Sequence, residues 1–207
     1  MTDRLVTIVA TGVANLASVR ASFRRAGVAV DVTTAPHRVL AASHLVLPGV
    51  GAFDAGMHAL EQAELVAPLR ERIERDLPTL AICLGMQLLF ESSDESVQRR
   101  RGLAVLAGHV ESLPTEVRVP QLGWNELRAE HGCTRLSNGH VYYANSFALR
   151  SPPPELCCAF SNHGVDFVGG FERGRLLGCQ FHPELSGALG RAILERFLDL
   201  PIASARC

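Results

Sequence analysis

The sequence predicts an α/β fold: a mixed, mostly parallel central sheet with helices on both faces. Two observations carry this. Short apolar runs alternate with helical patterns through the first half, the βαβα rhythm of a parallel sheet. Closely spaced strand-like pieces separated by turn signals fill the second half, extending the same sheet with antiparallel strands. At 207 residues the chain reads as one domain, residues 1–207, long enough to bury a core without disulfide help.

Residues 5–10 form the first predicted strand. Leu16, Val19, Phe23 and Ala26 then recur at helical spacing, and Gly27 is a stop signal. Residues 28–32 are the second strand and residues 44–47 the third. A long helical region starts near Asp54, read as its N-cap, and is interrupted near Pro68. Residues 79–82 are the fourth strand. Residues 91–102 form a polar loop, with Arg99, Arg100 and Arg101 read as a solvated surface. Further strands are expected at 141–147, 156–160 and 166–171. Residues 172–175 turn the chain into a strand at 176–181. A helix carrying Leu189, Ile193, Phe197 and Leu200 closes the chain, and the prolines at 151–154 make a stiff surface loop.

Composition excludes several classes of function. The net charge is −1, so there is no electrostatic footprint for nucleic acid or an anionic membrane. No apolar run approaches the roughly 18 residues of a membrane span, and residues 5–10 are too short for a secretory leader. A cytoplasmic protein is expected. The six cysteines (83, 133, 157, 158, 179 and 207) match neither a secreted disulfide framework nor a zinc spacing, so reduced thiols are expected.

Three stretches could carry chemistry. Cys83 sits at a strand-to-helix junction with Ala81 and Gly85 two residues either side, as a tight turn exposing a nucleophile requires. A helix starting after it would favour the thiolate. This window alone leaves a buried core thiol equally open. His182 and Glu184 are one residue apart, so on an extended strand they share a face. A carboxylate there can orient an imidazole towards a thiol. Residues 47–53, "LPGVGAF", follow the third strand. A dinucleotide loop is excluded because Asp54 occupies the third glycine position, but Gly49 and Gly51 can turn a backbone N–H towards a developing oxyanion. In an open sheet these strand ends converge on one crevice. A metal site is not expected, for want of close-spaced Cys/His pairs.

The motifs "PGVGAFDAGM", "AICLGMQLLF", "GWN" and "QFHPELSG" resemble the class I (triad) glutamine amidotransferases, whose fold is flavodoxin-like. More narrowly, "PGVG" with "QLGWN" is similar to the glutaminase subunits of imidazole glycerol phosphate synthase. The likeness runs from "TGVANLASV" to the last helix.

That resemblance implies glutamine hydrolysis by a Cys83, His182, Glu184 triad. The oxyanion would be held by the N–H of Leu84 and one from the Gly49-Val50 peptide. Glutamine contacts would fall on Gly51, Gln87, Asn145, Ser146 and Phe147. It implies no cofactor, and a (β/α)₈-barrel cyclase partner that receives the ammonia, with Trp124 and Asn125 on the docking face. The chain departs from the family pattern at Ala10, where Asp is usual, at Gln121, where His is common, and at Asn145-Ser146-Phe147, where His-Ser-Tyr is usual. These departures leave open a paralogue that feeds ammonia to another acceptor, or a non-catalytic subunit.

Overall fold

The computed structural model describes residues 4–10 and 16–201. Thr11 to Asn15 of the "TGVANLASV" motif, and Cys207, lie outside the described residues. A nine-stranded sheet runs β2 (Ala29–Thr33), β1 (Leu5–Val9), β3 (His44–Gly49), β4 (Thr79–Cys83), β12 (Leu176–Cys179), β11 (Asp166–Arg173), β10 (Cys157–Asn162), β7 (Gln121–Ala129), β8 (Gly139–Asn145). The pairings from β2 to β12 are parallel and those from β12 to β8 antiparallel. The late strand β12 is therefore inserted beside β4, at the centre of the sheet.

Helices cover both faces because alternate strand residues point to opposite sides. Leu45, Leu47 and Ala81 join one core with α2 (Pro36–Ala41), α3 (Phe53–Gln62) and α4 (Val66–Glu74). Val46, Leu80 and Ile82 join the other with α1 (Leu16–Arg25) and α6 (Gly187–Leu198). Each fully buried Leu, Ile or Phe in these layers contributes about 1.5–3 kcal/mol. Among the described residues, no helix is long and apolar enough to cross a membrane.

Several elements differ from the sequence expectation. Residues 141–149 are two strands. The chain leaves β8 at Asn145 and re-enters as β9 (Phe147–Leu149) in a separate small sheet with β5 (Ser92–Ser93) and β6 (His109–Ser112). The helical region breaks at Glu64, which has φ 57, and not at Pro68, which lies in the first turn of α4 where its missing N–H costs nothing. Asp54 is inside α3 and does not cap it. Ala52 holds the cap position and offers no side-chain acceptor. Glu95 supplies one from the polar loop, its Oε2 accepting the Phe53 N–H at 2.8 Å. Asp54 instead accepts from Ser96 and from the Gln98 N–H. The loop is thus strapped to α3, with Arg100 paired to Glu61 and Arg101 to Glu91.

The thiols are not all reduced. Cys133 and Cys157 form a disulfide, with Cα atoms 5.7 Å apart. Sheet pairing brings them together: Ala129 on β7 is in register with Ala159 on β10, and the Glu130 N–H donates to the Cys158 carbonyl. Cys83, Cys158 and Cys179 are free and buried.

Candidate active site

Strand β4 runs directly into α5 (Leu84–Gln87), and Cys83 is the joint, at φ 52 and ψ −115. A left-handed backbone at a residue with a side chain costs about 1–3 kcal/mol and persists only where packing enforces it. Here β3 enforces it. A Cβ on Gly85 would lie 2.0 Å from the Leu47 carbonyl oxygen, and one on Gly49 would lie 2.8 Å from the Gly85 nitrogen. Elbow and loop interlock with no room for a methyl group. Because α5 is only four residues long, the dipole of a full helix is missing, and first-turn N–H groups are what the elbow offers.

His182 approaches Cys83 from the segment that follows the neighbouring strand, β12. Cys179 is in register with Ile82, so the segment beyond β12 runs alongside the elbow. The His182 N–H donates to the Tyr142 carbonyl, which fixes its backbone. Its Nδ1 lies 2.9 Å from Glu184 Oε1, and the imidazole lines the cleft together with Cys83. Burial alone would lower the His182 pKa. Cys83 and then Glu184 more than reverse this and raise it to about 10. His182 and Glu184 do not share an extended strand, however. Pro183 opens a 3₁₀ turn, Pro183–Leu185, that swings the carboxylate back under the ring.

In front of Cys83 lies a cleft of about 270 Å³. Val50, Gly51, Leu84, Gln87, Asn145, Ser146, Phe147 and His182 line it. Gly49 does not reach the wall; it is paired with Cys83 beneath Leu84. Asn145 and Gln121 face each other across β8 and β7, and each keeps a buried oxygen, Oδ1 and Oε1, without a partner. Trp124 and Asn125 stand outside the cleft. Trp124 is 58% exposed and meets Tyr142 edge-on, while Asn125 is spent on the Asn162 carbonyl and the Glu126 N–H.

A glutamine amidotransferase class-I family model matches residues 8–200. The chain belongs to the class-I glutamine amidotransferases. The amidotransferase is 38% identical over 201 residues to the imidazole glycerol phosphate synthase subunit HisH of Moorella thermoacetica, covering 95% of both chains. It is 38% identical to the protein of the same name from Bacillus cereus and 39% to that from Bacillus thuringiensis, each over 93% of both chains. Among solved structures, a glutamine amidotransferase superposes with a TM-score of 0.75 at 19% identity, covering 93% of this chain and 96% of that one. PurLQS from Thermotoga maritima gives 0.73 at 14%, covering 95% and 98%. At that identity these structures speak for the fold of the amidotransferase.

Several residues of the site escaped the sequence reading: Glu95, Pro120, Leu122 and Ala144 in the cleft wall, and Gln180 beside Cys83. Glu95 lines the wall, its carboxyl pKa raised by burial, drawn back by the Phe53 N–H and raised again by Asp54. A polar loop gives no sign of this. Gln180 is fully buried beside Cys83. Its position two residues before His182 was a usable signal, since that spacing places both on one side of an extended segment.

Proposed function

We propose that this amidotransferase hydrolyses L-glutamine to glutamate and ammonia as the glutaminase subunit of a cytoplasmic imidazole glycerol phosphate synthase. The observation that carries this is His182, held by Glu184 at 2.9 Å and sharing the cleft with Cys83 at its enforced elbow. The Cys83 sulfur attacks the carboxamide carbon. The oxyanion that forms is held by the Leu84 N–H and one from the Gly49-Val50 peptide. His182 gives a proton to the departing nitrogen, and ammonia leaves. It then takes a proton from the water that cleaves the thioester, while Glu184 holds the ring in the required tautomer.

The cleft suits a zwitterionic amino acid. Glu95 and the oxygens of Gln87 and Asn145 offer acceptors to an ammonium group, and Gly51, Ser146 and Phe147 complete the glutamine contacts. A rim of exposed apolar side chains, Val50, Val119, Leu122, Trp124 and Leu185, supports docking of a (β/α)₈-barrel cyclase over the cleft. That subunit would use the ammonia to form imidazole glycerol phosphate and the aminoimidazole carboxamide ribotide.

Glutamate release with and without the cyclase and its nucleotide substrate is the test. Low basal release and strong stimulation are expected; release unchanged by the partner contradicts this assignment. The Asn145-Phe147 departures favour one second reading, a paralogue serving another ammonia acceptor. It would fail to complement a strain lacking the histidine-pathway glutaminase. The interlocked elbow adds a prediction of its own. Gly85→Ala should cost roughly 10²–10³ in kcat, the scale of a lost oxyanion donor. A folded Gly85→Ala protein with ordinary kcat would show that the interlock is dispensable.

A further inference from the structure

Gln180 is completely buried against Cys83 and Gln87, which both line the cleft, and the triad chemistry does not use it. Its backbone is pinned by a 2.8 Å bond from its N–H to the Gly169 carbonyl. Its side-chain amide makes two contacts of opposite polarity. Oε1 accepts from Gln87 Nε2 at 3.0 Å, and Nε2 donates to Cys83 Sγ at 3.7 Å.

The far end of this chain fixes its direction. Gln87 Nε2 also donates to the Phe147 carbonyl at 3.0 Å. A carbonyl only accepts, so Gln87 must present its nitrogen there. The second hydrogen of that nitrogen goes to Gln180, which must then turn its oxygen to Gln87 and its nitrogen to the sulfur. A flipped Gln180 would set two nitrogens against each other and an oxygen against sulfur. One backbone carbonyl thus dictates that the sulfur faces an N–H. It also leaves Gln87 with its oxygen, an acceptor, towards the cleft.

We infer that Gln180 is a positioning residue whose amide N–H, oriented through Gln87 by the Phe147 carbonyl, holds the Cys83 sulfur as a thiolate. This rests on the thiol chemistry proposed above. A neutral amide can favour the thiolate without bringing a further charge into a buried site. The other groups facing the sulfur are few. The Ala144 carbonyl, at 3.9 Å, accepts only from the thiol form. His182 favours the thiolate from the segment after β12. Glu184 behind it, and Glu95 in the cleft wall, oppose it by charge.

The test reads the pH midpoint of Cys83 alkylation by iodoacetamide in the full chain, and kcat and KM for glutamine in the assembled complex. Gln180→Met keeps the approximate volume and removes the amide. A hydrogen bond to a charged group implies a midpoint higher by roughly one pH unit and a kcat lower by roughly 10- to 100-fold. KM should rise too, because Gln87 is released. A folded Gln180→Met protein whose alkylation midpoint stays within about 0.3 pH unit of the parent's overturns the inference, whatever its kcat.

Should that variant not fold, the parent chain still decides. In its NMR spectrum one glutamine side-chain N–H should shift as Cys83 titrates, and not in Cys83→Ala; no such amide overturns the inference. Alkylation and NMR behaving as expected without glutamine hydrolysis would defeat the proposed function alone. Hydrolysis with alkylation unmoved by Gln180→Met would defeat this inference alone.

Discussion

Cys83→Ala is expected to abolish glutamine hydrolysis, with a loss on the order of 10⁶, the scale at which triads fail when the nucleophile is removed. Among the described residues, no other thiol can take over. Cys179 is fully buried, and burial, with Glu184 and Glu172 adding, holds its thiol well above the ordinary range. Burial and then Glu130 push Cys158 up to about 12. Cys133 and Cys157 are bonded to each other. The left-handed backbone at residue 83 is imposed by β3 and tolerates alanine no worse than cysteine, so the variant should fold and still bind glutamine. On the proposed mechanism Cys83 and His182 act as a unit, so adding His182→Ala should cost little more. Glutamate release by the assembled complex is the readout, with calorimetric glutamine binding as control. Turnover above about one per cent in Cys83→Ala would mean that another group attacks the carboxamide.

The largest effect on stability is expected at Arg72. This side chain is fully buried on α4, and among the described residues no carboxylate pairs with it. Its guanidinium donates to the carbonyls of Val39, Leu40 and Ala42 at the end of α2, to the Pro78 carbonyl, and to Thr79 Oγ1 at the start of β4. The cation therefore sits on the negative end of a helix and satisfies carbonyls that have no partner within it. Burial, with Arg75 adding, lowers its pKa to about 10, which leaves it charged at neutral pH.

Two effects compete in Arg72→Met. Removing the buried charge is favourable, but it strands several buried acceptors at about 1–3 kcal/mol each. The stranded acceptors win, for a net loss of about 3–5 kcal/mol. For a chain of this size that lowers Tm by roughly 6–20 °C. Arg72→Lys should recover only part, since an ammonium cannot span acceptors on both α2 and β4. A loss under about 1 kcal/mol in urea unfolding would show that the carbonyls find water instead.

The parts of this molecule legible in sequence are those fixed by local sterics or period. Cys83 stood out because a tight turn needs small neighbours at 81 and 85, and Gly85 proves to have no room for a methyl. The first four strands stood out as short, mostly apolar runs. Six-residue α2 is too short for a helical period to register, and its end depends on Arg72, a long way on in the chain. Strand β7 was hidden because Gly123, Trp124 and Asn125 break its alternation, and its partners are β8 and β10. Glu95 has its role only through what folds against it. Glu95 reads as one more charge in a polar loop until Phe53 offers it an N–H.

The central place of β12 also sets a timetable. Its neighbour β4 leaves the ribosome long before it, and β11 must fold back before the gap can close. Pairings between strands so far apart along the chain close slowly, since each must first repay the entropy of a long loop. Until residues 176–184 arrive, the sulfur of Cys83 has neither Gln180 nor His182 beside it. A nascent or truncated chain therefore carries a disarmed cysteine. On the proposed mechanism, the same late strand that finishes the sheet also arms the nucleophile, so incomplete copies would not squander glutamine.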